Sequence, residues 1–258
     1  MFNDPLAVAL SDVVTEGHVS HPPSFELALA RTHLTSMDAA QSNELLKQLR
    51  SAGRYLEWGS GGSTLLASWL MLLRNRSGYA SESNLTHAVS IESSTAFVDR
   101  LIRKHAPIKQ ALSSGALVYH LAHVGTTRAW GYPQTWADTP SERERWYTAY
   151  VAPLPHTACC FDAILIDGRV RAACALHALR LSHPSTRVMI HDNGMINRYE
   201  GRGYNRTLHK WYHFERQVGE LSLMRPKPRM LAMAKGRSKE GRAAYAQAID
   251  AAMHMVAR

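Results

Sequence analysis

Apolar positions in this chain fall in short continuous runs separated by longer stretches of helical spacing. Tyr55 to Trp58, Ala88 to Glu92, Leu117 to Ala122, Phe161 to Asp167 and Arg187 to Asn193 are apolar enough to predict buried strands. Between them the spacing changes. Met37, Leu45, Leu46 and Leu49 share one face of a helix that Ser36 would cap and Gly53 would end. Leu65, Leu66, Trp69, Leu70, Leu72 and Leu73 make Thr64 to Leu73 apolar nearly all round, as expected of a helix pressed on a sheet. Phe97, Leu101 and Ile102 predict a helix from Thr95 to His105, stopping before Pro107, and Val170 to Leu181 turns Ala172, Ala173, Leu176 and Leu179 inward. Leu221 to Met224 and Arg229 to Ala234, parted by Pro226 and Pro228, read as a closing antiparallel hairpin. Ser238 would cap a last helix striped by Tyr245, Ile249, Ala252 and Val256.

Strands alternating with helices predict an α/β fold, doubly wound around a mainly parallel sheet of about seven strands with the last one antiparallel. The organisation expected is an arm over residues 1–35, a Rossmann-like domain over 36–235 and a C-terminal helix over 236–258. The strands also share an ending. Glu57-Trp58-Gly59-Ser60-Gly61-Gly62-Ser63, Glu92, Asp167-Gly168-Arg169 and His191-Asp192-Asn193 each place a glycine or an acid at the carboxyl end, so they would form one polar rim, where open α/β sheets bind ligands. In the first of these the glycines let a ligand approach the backbone, Ser63 or Thr64 can cap the following helix, and that helix offers free N–H groups.

A chain of 258 residues with 45% apolar residues has material for one large core. No apolar run reaches the length needed to cross a bilayer and the N-terminus lacks the order of a signal peptide, so a soluble, cytoplasmic protein without a membrane partner is expected. Three cysteines, Cys159, Cys160 and Cys174, make neither a disulfide framework nor a zinc pattern, and Cys159-Cys160 beside a buried strand read as small core residues. The net charge of +9 gathers late, at Arg225, Lys227, Arg229, Lys235, Arg237, Lys239 and Arg242. It is either a solvated basic surface or a track for nucleic-acid phosphates.

The rim motifs resemble those of class I S-adenosylmethionine-dependent methyltransferases over roughly residues 36–235. The resemblance implies a cofactor site of Glu57, Gly59, Ser60, Gly61, Gly62, Ser63, Glu92 and Asp167, with Gly59 and Gly61 against the methionine part, Glu57 orienting the loop or the amine, and Glu92 taking the ribose hydroxyls. A carboxylate suits the last role, being an acceptor for two adjacent O–H donors. The activity implied is methyl transfer, chiefly to an oxygen of a small-molecule or glycan-type acceptor. Asp167, Asp192 and Asn193 further resemble the two acids and asparagine with which catechol-type O-methyltransferases hold Mg2+ or another divalent cation. That family has a lysine where Val170 stands, which leaves His191, with Asp167 and Asp192, as the catalytic candidate.

Two other functions compete. A nicotinamide-dependent oxidoreductase shares strand, turn and helix, but Thr64 stands where its third glycine belongs. An RNA methyltransferase, or a non-catalytic RNA-associated relative, would use the basic C-terminal region. The aromatic stretch Val124 to Thr157, with a capped helix start at Ser141, is a candidate substrate lid; alternatively Trp146 and Tyr150 pack that helix on the body. His209 and His213 share a helical face but have no third ligand in register, and His18, His21 and His33 lack the spacing of a rigid metal site.

Overall fold

The computed structural model describes residues 37–74, 83–128, 131, 139–193, 207–236 and 238–254. The expected arm over 1–35 lies outside these, as do Trp130, Tyr132 and Trp136 of the expected lid. In chain order the described elements are α1 (Ala39–Ser51), β1 (Arg54–Trp58), α2 (Gly62–Arg74), β2 (His87–Glu92), α3 (Thr95–Lys104), α4 (Ala106–Ser113), β3 (Leu117–Leu121), α5 (Pro140–Trp146), β4 (Phe161–Ile166), α6 (Arg171–Ala178), β5 (Ser182–Ile190), β6 (Tyr212–Val218), β7 (Leu221–Pro226), α7 (Pro228–Ala234) and α8 (Lys239–His254). A π-helical turn, Tyr147–Val151, continues α5.

The seven strands lie in the order β3-β2-β1-β4-β5-β7-β6. Strands β1 to β5 pair in parallel, and β7 runs antiparallel to both neighbours. Strand order therefore reverses between β1 and β4, the topological switch point at which such sheets open a crevice. Single extra backbone bonds extend the ladder past the strand ends. Gly59 N–H donates to the Ile91 carbonyl (2.9 Å), Asp167 N–H to that of Trp58 (2.9 Å) and His191 N–H to that of Ile166 (3.2 Å). The residues following β1, β4 and β5 are thereby brought level with Glu92.

Side-chain alternation along the strands divides the interior in two. Leu56 and Trp58, Val89 and Ile91, Ile164 and Ile166, and Val188 and Ile190 face a core shared with Trp146, Tyr150, α6, α7 and α8. Tyr55, Ala88, Ala163, Leu165 and Met189 face α1, α2 and α4. Each leucine or isoleucine sealed in these layers contributes roughly 2 kcal/mol. The same parity decides where the acid of β1 goes. Glu57, two residues from Tyr55, is turned toward α2 rather than toward solvent.

Several sequence-based expectations are corrected. Asp38, not Ser36, caps α1: its carboxylate accepts the Gln41 N–H while Gln41 Oε1 accepts the Asp38 N–H, a reciprocal capping box. Thr139, not Ser141, caps α5 by the same device with Glu142. The helix stopping before Pro107 is followed at once by α4, which takes Pro107 in its first turn, where a missing N–H costs nothing. The closing hairpin pairs β7 with Tyr212–Val218, whereas Pro228–Ala234 is helical, again with proline at its start. His213 consequently lies on β6, so the helical face shared with His209 does not exist. Cys159 and Cys160 are half-buried and joined to each other, so their reading as core residues is corrected; Cys174 is buried. Among the described residues no helix is long and apolar enough to cross a membrane.

Candidate active site

A cleft of about 1090 Å³ opens at the carboxyl ends of β1, β2, β4 and β5. It is large enough for a cofactor and a small acceptor together, since ligand pockets run to roughly 1,000 Å³. Its floor is set by two glycines. Gly59 has φ +91°, and a Cβ there would fall 2.7 Å from the Gly168 nitrogen; a Cβ on Gly168 would fall 1.8 Å from the Tyr150 hydroxyl. The ends of β1 and β4 thus pack backbone on backbone, with Tyr150 beneath. The Tyr150 hydroxyl accepts the Arg169 N–H at 3.1 Å, and its carbonyl accepts the Trp58 indole N–H at 2.9 Å. Trp146 and Tyr150 are buried, as the packing alternative expects, and Tyr150 also borders the cleft. Gly61 differs, for a Cβ there meets nothing within 4 Å and the residue lines the open cleft.

Glu57 lies under this turn rather than on the cleft wall. Its carboxylate accepts the hydroxyls of Tyr55 (2.9 Å), Ser63 (2.6 Å) and Thr64. Both α2 hydroxyls therefore turn back to the strand, and Thr64 Oγ1 also accepts the Gly61 N–H (3.0 Å) at the start of the helix, which begins at Gly62. Burial raises the Glu57 pKa above its ordinary value despite these hydrogen bonds, so the hydroxyls hold in place a group that water would otherwise solvate. Glu92 borders the cleft. One of its oxygens accepts the Ser60 N–H (3.0 Å) and hydroxyl (3.1 Å); the other accepts the N–H groups of Ser93 (2.6 Å) and Ser94 (3.0 Å) and the Ser93 hydroxyl (3.2 Å). Gly131 comes down over it, close enough that a Cβ would meet Ser93 Oγ at 2.9 Å.

Across the switch point Asp167, His191 and Asp192 meet, with one ligand-type atom from each within 4.8 Å of the others. His191 is 5% exposed. Its Nδ1 lies 2.9 Å from Asp167 Oδ1 and its Nε2 3.3 Å from Gln41 Oε1. That amide oxygen also takes the Asp38 N–H, so the imidazole faces acceptors at both nitrogens. Burial pulls the His191 pKa down, but the hydrogen bond and charge of Asp167 and the charge of Asp192 outweigh it, and the net shift is upward. Asp192 is the most open of the three, with its side chain 38% exposed. Burial pushes its pKa up, the charges of Arg171, His191 and Arg169 pull it down further, and the result is a carboxylate held below its usual range.

Sequence reading gave no role to Arg171, which organises this side. Its buried guanidinium donates to the carbonyls of Gly168 (2.9 Å), His191 and Asp167 (3.3 Å), and its Nη2 pairs with Asp192 Oδ2 (2.8 Å) and Asp167 Oδ1 (3.3 Å). The backbone beside it is bent to suit: Val170 (φ +48°) and Asp192 (φ +55°) are left-handed although neither is glycine. Two observations count against the expected set of two acids and an asparagine. Asn193 is fully buried, with its amide nitrogen 2.6 Å from Ser222 Oγ, and lies off the cleft. The two acids already share a cation, Arg171. This residue set does not fit the three-oxygen metal site.

One solved structure shares this architecture. A methyltransferase-like protein from Silicibacter pomeroyi is 19% identical with a TM-score of 0.54, the match covering 83% of this chain and 96% of that one. The chain has the class I methyltransferase fold. More distant matches include the O-methyltransferase TomG from Streptomyces achromogenes (15% identity, TM-score 0.41, 86% of this chain and 88% of that one). Another is precorrin-6y C5,15-methyltransferase from Geobacter metallireducens (11%, 0.39, 76% and 90%). No family model matches the chain, and no curated protein does. Within this methyltransferase-like fold the β1 and β2 ends supply the glycine turn and Glu92, and the β4 and β5 ends supply the Asp167, Arg171, His191 and Asp192 cluster.

Proposed function

We propose that the protein is an S-adenosylmethionine-dependent methyltransferase acting on an oxygen of a small-molecule or glycan-type acceptor. The observation that carries this is one cleft with two unlike walls, a glycine turn with a hydroxyl-accepting carboxylate facing a polar cluster that ends in a half-buried, ionised Asp192. On the first wall Gly61 leaves room for a ligand against the backbone. Glu92 is satisfied in part by the hydroxyls of Ser60 and Ser93, which two ribose hydroxyls can replace like for like. When bound, the cofactor supplies an electrophilic methyl on a sulfonium, so the chain has chiefly to align donor and acceptor and receive a proton.

On the second wall Asp167 and Asp192 both line the cleft, and Asp192, the more open of the two, is the group assigned to accept the acceptor's O–H. A weak base suffices, because the hydroxyl proton becomes strongly acidic as the new C–O bond forms. His191 and Asp167 then act as positioning groups. The basic C-terminal residues give no comparable support to a nucleic-acid acceptor. Arg225 pairs with Glu215 at 2.5 Å, and Lys227 and Lys235 donate to the carbonyls of His209 (2.7 Å) and Ser182 (2.8 Å). Calorimetric titration with S-adenosylhomocysteine tests the cofactor assignment; saturable binding that Glu92→Ala weakens is expected, and absence of heat with both proteins ends it.

A further inference from the structure

We propose that the Arg171 guanidinium is the fixed cation of the acceptor wall, doing for Asp167, His191 and Asp192 what a bridging divalent ion would do, so that this wall works without metal. The proposal rests on the methyltransferase reading only for the words "acceptor wall"; the charge arrangement stands apart from it. Two carboxylates and an imidazole whose ligand-type atoms all lie within 4.8 Å of one another form the kind of set that hard or borderline cations bind. Here the positive charge is covalently part of the chain, on a buried side chain in the first turn of α6, at i+4 from Asp167.

The guanidinium does more than balance charge. Its contacts with the carbonyls of Gly168, Asp167 and His191 tie the end of β4 to the end of β5, and its Nη2 holds Asp192 in a left-handed conformation facing the cleft. A planar fork can serve carbonyls and carboxylates simultaneously, which a lysine ammonium cannot reproduce. Arg171 is therefore a positioning residue: it keeps Asp192 ionised and aimed.

Removing the guanidinium should expose the latent cation set, and Mn2+ is the probe. Electron paramagnetic resonance and thermal melting would be followed with and without roughly a hundredfold excess of Mn2+, an excess at which a specific ligand stabilises measurably. The expected results are no specific Mn2+ uptake by the wild type, one bound Mn2+ and a melting shift of several degrees for Arg171→Met, and loss of both in Arg171→Met combined with Asp192→Asn. Arg171→Lys, which keeps a positive charge, should exclude Mn2+ as the wild type does. The proposal is overturned by stoichiometric Mn2+ binding to the wild type that Asp192→Asn removes. It is also overturned if a folded Arg171→Met takes up no Mn2+. Should Arg171→Met not fold, the wild-type and Arg171→Lys titrations decide the matter by themselves. S-adenosylhomocysteine titration of the same samples separates the two claims: failure there ends the cofactor assignment and leaves the Mn2+ result standing.

Discussion

Both sides of the cleft rest on carboxylates with restricted access to water, yet Glu92 on one wall and Glu57 beneath it are met by neutral hydroxyl and amide donors, while Asp167 and Asp192 on the other are met by Arg171 and His191. Neutral donors can be exchanged for a ligand's own hydroxyls at small cost, because each hydrogen bond given up is replaced by one of the same kind. A charge pair partly shielded from water is different: taking away one partner strands the other, at a cost that approaches about 3–5 kcal/mol only where the pair is fully buried and is smaller here, where the Asp192 side chain is 38% exposed. The first wall is thus suited to binding and releasing a polyhydroxylated ligand. The second is suited to keeping a fixed geometry through turnover.

The comparison is broken most severely at the seam between the walls. Gly168→Ala would place a methyl 1.8 Å from the hydroxyl of Tyr150, which is buried and engaged by the Arg169 N–H, so neither group can yield easily. A loss of about 3 kcal/mol is expected, at the upper end of ordinary overpacking. Thermal unfolding checks it, and an unchanged melting temperature would show that the strand ends do not pack as described. Glu92→Ala acts on the exchangeable wall. With hydrogen bonds to a charged group worth roughly 2 kcal/mol, S-adenosylhomocysteine affinity should fall about thirtyfold. Gly61→Ala sharpens the contrast with Gly59 and Gly168. Since the new methyl meets no protein atom within 4 Å, stability should hold while S-adenosylhomocysteine affinity falls by about tenfold, the signature of steric intrusion on a ligand alone. Equal losses of stability and affinity would contradict it.

The exchangeable wall was legible in the sequence because its parts are local. Tyr55 to Trp58, the glycine turn and the start of α2 follow one another, and Glu92 ends an apolar run. The charged wall was legible only in part: Asp167, His191 and Asp192 stand at predicted strand ends, but the contacts that fix them are made by partners far apart. Gln41 reaches His191 across 150 positions, and no periodicity announces that. One signal was available: Arg171 stands four residues after Asp167 at a helix start, a spacing that brings side chains together. The capping box of Asp38 and Gln41 was equally readable at three-residue spacing, and Pro228 marked the start of α7 rather than a strand. Strand β6 escaped notice because five of its residues are exposed, leaving a polar segment with little apolar pattern.

The smallest effect expected is a pH dependence peculiar to the charged wall. His191 is faced by Asp167 and Asp192, which favour its charged form, by Arg171, which opposes it, and by the Gln41 oxygen. Its pKa in the folded protein is raised, so the folded state binds the proton more tightly than the unfolded chain does. The resulting stability is complete below the ordinary histidine value of about 6.5 and drains away as pH rises through the raised folded value; it amounts to about 1.4 kcal/mol for each pH unit that separates the two. Asp192 has the opposite sign: its depressed pKa contributes stability above about 3.9 that is lost as pH falls through the folded value. Melting temperatures of the wild type and His191→Gln should therefore converge as pH is raised from about 6 toward 9, since only the wild type has an imidazolium to lose. A gap between the two proteins that stays constant across that interval would mean that His191 is held by packing alone, and that the charged wall owes its rigidity to Arg171.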